Sequence, residues 1–244
     1  MAKSPVAEQF KLLELQAFDS RLKALATRLK QLEQDPRLPP LTAGVTEARV
    51  AVTEAAFARD EVRKSLTGLE DEVAGLDARI ERDNVRLNAG GLSKDLVALQ
   101  KDIEGLERLK GSKEDTELEL MEQLEEAETL LTERQETLAG AESALAEVQA
   151  ELGALAAEAA QERAGVAGER DGFAATIEPG LVALYQKTLE RRGVGAARLF
   201  HGHSEGSGMD LSPGDLAEVR AAAEDDVVYC PDSGVILVRS PEWN

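Results

Sequence analysis

The stretch Leu87-Asn88-Ala89-Gly90-Gly91-Leu92-Ser93 decides the fold. Two consecutive glycines between long helix-forming segments read as a tight helix–helix turn. Equal lengths of chain lie on either side, 83 residues from 6 to 88 and 83 from 92 to 174. On the C-terminal side, alternate steps of four and three from Leu92 reach Leu96, Leu99, Ile103 and Leu106. The same frame continues through Leu120, Leu124, Leu131, Leu138, Leu145 and Leu152 to Phe173 without slipping. A heptad seam sustained this long predicts one coiled-coil helix from about Ser93 to Phe173. On the N-terminal side a second seam runs from Leu41 through Val45, Val52, Val62, Leu66, Leu69 and Ile80 to Leu87. A third uses Leu15, Phe18, Leu22, Leu25, Leu29 and Leu32.

Pro36, Pro39 and Pro40 separate the second and third seams, because proline lacks an N–H and disfavours helix at the residue before it. The expected helices are therefore Pro5–Gln34, with Ser4 as N-cap, and Leu41–Asn88. Equal arms around a Gly-Gly turn predict an antiparallel hairpin over residues 1–174, kinked at 36–40 and turning at 89–91. Each arm would be ~125 Å long at ~1.5 Å per residue. Lys110, Lys113 and Glu117 put a polar layer in the seam, a device that fixes register.

Composition agrees. The chain has 37 Ala, 34 Leu and 32 Glu among 244 residues, but only eight aromatics. Phe57 is the one ring between Asp19 and Gly172, too few for a globular core of that size. Acids outnumber bases 47 to 28, a net charge of −19, which argues against coating duplex nucleic acid along the arms. The acidity concentrates between Glu114 and Arg170, where 16 acids face three bases, while residues 1–37 carry seven bases and five acids. Pairing between helices and an acidic solvated face are expected. A single cysteine, Cys230, excludes an intrachain disulfide. The longest run without a charge, Leu38–Thr46, is nine residues against the ~20 a bilayer requires. The N-terminus has no apolar leader, so no membrane association and a cytoplasmic location are expected.

Past Phe173 the composition changes, and five of the eight aromatics fall from that residue onward. Residues 175–198 read as a helical neck, with a helix over Glu178–Arg191 stopped at Gly193. Residues 199–244 read as a small α+β domain. Ser212-Pro213-Gly214-Asp215 is a helix start, with serine as cap and proline in the first position. Val227–Tyr229 and Val235–Val238 are short strand-like runs around Cys230-Pro231-Asp232-Ser233-Gly234, and together they predict a small hairpin.

Three stretches give the chain a resemblance. They are Leu12 to Leu22, then Ser93-Lys94-Asp95-Leu96-Val97-Ala98-Leu99-Gln100-Lys101-Asp102-Ile103-Glu104, then Leu211 through Arg239. Together they resemble bacterial proteins in which a coiled-coil hairpin is followed by a C4-type zinc ribbon, a family associated with nucleic-acid binding. The fold class implied is mainly α, a long antiparallel coiled-coil hairpin with a small zinc-ribbon-like C-terminal domain. The family's ribbon holds zinc with two Cys-x-x-Cys knuckles. Here they align with Ser204-Glu205-Gly206-Ser207 and Cys230-Pro231-Asp232-Ser233, so Ser204, Ser207, Cys230 and Ser233 stand at vestigial ligand positions and three thiols are replaced by hydroxyls. A hydroxyl does not deprotonate near neutrality and is a poor zinc ligand. No zinc or other cofactor is expected, and a small core of Leu211, Leu216, Val228, Ile236 and Val238 would hold the ribbon. A site rebuilt from His201, His203, Cys230 and an aspartate is the alternative.

Other chemical signals are thin. Gly202-His203-Ser204-Glu205-Gly206 matches G-x-S-x-G, but no large sheet surrounds it and no histidine follows His203. The protein is therefore read as non-enzymatic. The neck carries Lys187, Arg191, Arg192 and Arg198 against Glu190. This is either a phosphate-contacting patch or a set of cations at a helix C-terminus, where the helix dipole favours them. Lys94, Asp95, Leu96 and Gln100 mark the hairpin tip as a partner-binding surface. The function expected is a coiled-coil adaptor, monomeric or dimeric, acting through protein–protein recognition. The alternative is an RNA- or DNA-binding regulatory protein that uses the neck and C-terminal domain.

Overall fold

A computed structural model of the chain describes residues 2–241 and Trp243. The described residues fall into two compact units, one of residues 36–150 and one of residues 1–35 with 151–244. Five α-helices and a five-stranded sheet are described.

The unit of residues 36–150 contains α2 (Leu38–Asn88) and the first part of α3 (Ser93–Ala174). They are joined at Gly90, whose φ of 81° places it in the left-handed region that glycine enters without steric cost. Ion pairs read out an antiparallel register: Arg49 to Glu142 at 2.8 Å, Arg63 to Glu128 at 2.5 Å, Lys113 to Glu72, and Lys110 to Asp77 at 2.5 Å. As the number rises on one helix it falls on the other. These pairs are largely solvent-exposed, so they report the register more than they stabilise it. Burial of the seam supplies the stability. Every α2 seam position from Leu41 to Leu87 is buried or half-buried, Asp83 included. The polar layer of α3 is thus an interhelical ion-pair layer, with two lysines reaching acids on α2.

Three positions of the α3 seam depart from expectation. Leu92, Arg134 and Glu169 are exposed. Leu92 precedes the first helical residue of α3, and near the end of α3 it is Arg170, one residue beyond Glu169, that turns inward to Asp19.

The other unit contains α1 (Val6–Glu33), the end of α3, α4 (Pro179–Arg192), α5 (Pro213–Ala221) and the sheet. Helix α1 runs antiparallel to the end of α3, with Arg21 2.7 Å from Glu162 and the rings of Phe18 and Phe173 5.8 Å apart. Ser4 does not cap α1. Its N–H donates to the carbonyl of Asp225 and its hydroxyl donates to Glu178, so it ties down the N-terminal segment, and Pro5 stands at the N-cap. Pro39 and Pro40 open α2 instead of separating it from the break, because a first helical turn does not use their missing N–H groups.

The sheet order is β3-β2-β1-β5-β4, formed by Met209–Asp210, His203–Ser204, Ala196–Phe200, Ile236–Arg239 and Val228–Tyr229. Strand β5 pairs antiparallel with β4, as the hairpin reading requires, and parallel with β1. Both faces of β5 are covered, which explains the unbroken apolar run at Val235–Val238. Ile236 and Val238 therefore do not belong to the ribbon's own core. They pack with Leu12, Leu15, Leu181 and Tyr185, while Val235 and Leu237 face Leu199, Leu211, Val219 and Cys230 on the opposite side. Helix α5 begins as its sequence predicts, with the Ser212 hydroxyl accepting from the Asp215 N–H at 3.2 Å.

Candidate functional site

Two knuckles meet in the sheet unit. The first, Ser204–Ser207, leaves β2 and is closed by the N–H of Gly208 donating to the carbonyl of Ser204 at 2.8 Å. The second, Cys230–Ser233, leaves β4 and is closed twice. The Cys230 N–H donates to Val235 O, and the Gly234 N–H donates to Cys230 O, each at 2.8 Å. Gly234 sits at φ 70°, a left-handed turn position. Gly206 makes the approach of the two loops feasible. A Cβ there would lie 2.4 Å from Val235 Cγ2, 2.9 Å from Ala197 Cβ and 3.4 Å from Ser233 Oγ.

Of the four ligand positions, Ser204 and Cys230 are buried and Ser207 and Ser233 are half-buried. Ser204 and Cys230 are 0% and 1% exposed. The Ser204 hydroxyl donates to Cys230 Sγ at 3.4 Å. The hydroxyl oxygens of Ser207 and Ser233 are also buried, and neither has a hydrogen-bond partner. Burial pushes the Cys230 thiol up. The Ser204 and Ser233 hydroxyls and the N–H groups of Ser233 and Asp232, all near the sulfur, outweigh that effect and hold it below its ordinary value. Of the two hydroxyls, only that of Ser204 reaches hydrogen-bond geometry at the sulfur.

This donor set does not fit the zinc that a four-cysteine ribbon holds. One thiol and three neutral hydroxyls neither balance the charge of a divalent cation nor offer it soft ligands. The histidines do not rebuild the site. His203 Nδ1 lies 2.8 Å from Asp210 Oδ1, and the His201 ring packs on Phe200 with centroids 4.2 Å apart. Among the described residues no group of three or more His, Cys, Asp or Glu side chains is placed to hold a metal.

The neck cations divide. Lys187, Arg191 and Arg192 line one concavity of about 200 Å³ with Leu184, Thr188, Tyr229 and Gly234. Arg192 lies directly over Gly234, its Nε 2.9 Å from where a Cβ would stand. Arg198 is elsewhere, on β1, bonded to Glu205 at 2.7 Å and set over the Phe200 ring at 4.8 Å. At the tip, in the unit of residues 36–150, Lys94, Asp95 and Gln100 are exposed on the first turns of α3 and Leu96 is half-buried. Leu92, Val85 and Val97 add apolar surface there, 75%, 59% and 56% exposed. Heptad counting could not separate Leu92 from a core residue.

Sequence reading also missed a polar joint. Gln16 Oε1 accepts the N–H of Gly195 at 2.7 Å and the hydroxyl of Tyr185 at 3.2 Å. The Tyr185 hydroxyl also reaches Asp19 Oδ2 at 2.7 Å, and Asp19 accepts from Arg170 at 3.1 Å. Burial, and then the Asp19 carboxylate, push the Tyr185 hydroxyl well above its ordinary pKa, so it stays a donor. The joint fixes the start of β1 to α1.

A two-helix coiled coil continued by a knuckled β-domain defines a class of protein. The chain belongs to the CT398-like coiled coil hairpin domain family, whose model matches residues 15–193, and a C4-type zinc ribbon domain model matches residues 203–237. Two uncharacterized proteins from two strains of Mycobacterium tuberculosis are each 34% identical over 239 residues, which is 97% of either chain. A solved structure from Mycobacterium smegmatis is 31% identical and superposes with a TM-score of 0.85, covering 97% of this chain and all of that one. The structure of CT398 from Chlamydia trachomatis, 19% identical over 96% of this chain and 98% of its own, shares the fold with a TM-score of 0.67. Among the described residues no helix is long and apolar enough to cross a membrane.

Proposed function

We propose that the protein is a non-enzymatic adaptor that binds another protein through the tip of its helical hairpin and carries a ribbon-like domain that needs no metal. The observation behind this reading is the apolar surface at the turn, where Val85, Leu92 and Val97 are each more than half exposed. Exposed aliphatic side chains on both sides of the turn, in the same stretch as the polar Lys94, Asp95 and Gln100, suit a protein partner. The test is affinity capture from the native cell with the intact chain and with Leu92→Ser/Val97→Ser. A partner held by the intact chain and lost by the variant supports the reading. Equal capture by both chains removes the tip from it.

A second reading rests on the concavity lined by Lys187, Arg191 and Arg192, three cations gathered in a chain of net charge −19. If it contacts phosphates, single-stranded RNA binds with a salt dependence whose slope falls by about two when all three become alanine. Binding that is absent, or unchanged in the variant, excludes it.

A further inference from the structure

We propose that Ser204, Ser207, Cys230 and Ser233 hold one internal water molecule where a C4-type ribbon holds its metal, so that a hydrogen-bonded node closes the two knuckles. The inference rests on the metal-free reading of the ribbon. Ser207 Oγ and Ser233 Oγ are the only buried side-chain oxygen or nitrogen atoms without a partner among the described residues, and they belong to the two opposed knuckles. Buried polar atoms in folded proteins are almost always hydrogen-bonded, and an internal water serves those that the chain cannot satisfy. Ser204 Oγ donates to Cys230 Sγ and keeps its lone pairs, so it offers a third contact.

Bond lengths favour the same occupant. A serine Cβ–O bond is shorter than a cysteine Cβ–S bond, so each hydroxyl stands further back from the centre that four thiolates would share. A ligand distance of ~2.3 Å for zinc–sulfur thereby opens toward the ~2.7 Å of an O–H···O hydrogen bond. Three neutral hydroxyls call for a neutral ligand that both donates and accepts.

The test is a crystal structure of the full chain at a resolution that shows ordered water, with data collected at the zinc absorption edge. The expected result is an isolated, well-ordered peak at hydrogen-bond distance from both Ser207 Oγ and Ser233 Oγ, without anomalous signal. An anomalous peak overturns both this inference and the metal-free reading. Empty density, with the two hydroxyls turned onto the protein, overturns this inference alone. In Ser207→Ala/Ser233→Ala the peak should disappear, and its persistence there would show that other groups hold it.

Discussion

Restoring the three missing thiols tests the convergence of the knuckles directly. In Ser204→Cys/Ser207→Cys/Ser233→Cys, four sulfurs would surround one point if all four positions face one another as Ser204 Oγ and Cys230 Sγ do at 3.4 Å. Without metal, the larger sulfur atoms overpack an interior in which Ser204 and Cys230 are almost fully enclosed, which costs about 1–3 kcal/mol. With zinc at ~1,000 times its dissociation constant, binding to the folded state returns about 4 kcal/mol. The variant should therefore unfold below the parent chain in chelator and above its own apo form in zinc, by on the order of 10 °C. Cobalt should give the absorption of a tetrahedral thiolate complex in the variant and none in the parent. A variant that takes up no metal, or takes it in octahedral form, would refute the claim that the four positions still face a common centre.

Three further outcomes follow from the geometry. Gly206→Ala should lower stability by about 1–3 kcal/mol in chemical denaturation, since its methyl would collide with Val235 and Ala197. Tyr185→Phe removes a buried hydroxyl shared by Asp19 and Gln16 and should cost about 1–2 kcal/mol, with faster hydrogen exchange at Gly195 and Ala196. The folded state holds the Cys230 thiol below its ordinary value, so this residue's contribution to stability is fully present above the unfolded thiol pKa and fades as pH falls through the folded one. The melting-temperature gap between the parent and Cys230→Ala should accordingly widen from neutral to alkaline pH, and a gap independent of pH would contradict it.

The helices were legible because one physical rule governs them along their length. A seam is mostly apolar every three to four residues, so the runs from Leu41 to Leu87 and from Leu96 to Leu131 declare themselves despite polar layers such as Lys110, Lys113 and Glu117. The rule weakens where something other than a facing helix sets the environment. Leu92 fits the frame but lies ahead of the first turn of α3, and Arg170 turns inward because Asp19 awaits it. The sheet was half visible. The turn at Cys230–Gly234 announces β4 and β5, but β1 pairs parallel with β5 across some forty residues, and Ala196-Ala197-Arg198 carries no alternation to mark it. Gln16 and Ser4 escaped for a related reason, since each bonds to backbone more than 170 residues away. The ribbon positions were legible through spacing and resemblance, but only the fold shows that Ser204 bonds to Cys230 and that the hydroxyls of Ser207 and Ser233 are buried without a partner.

On the proposed reading the two knuckles close without a metal. Elemental analysis of the full chain, purified without chelator from cells grown with ample zinc, tests it most directly. The expected result is zinc far below one equivalent and a melting temperature indifferent to a strong chelator. Near-stoichiometric zinc, lost together with the ribbon's stability on chelation, would contradict it.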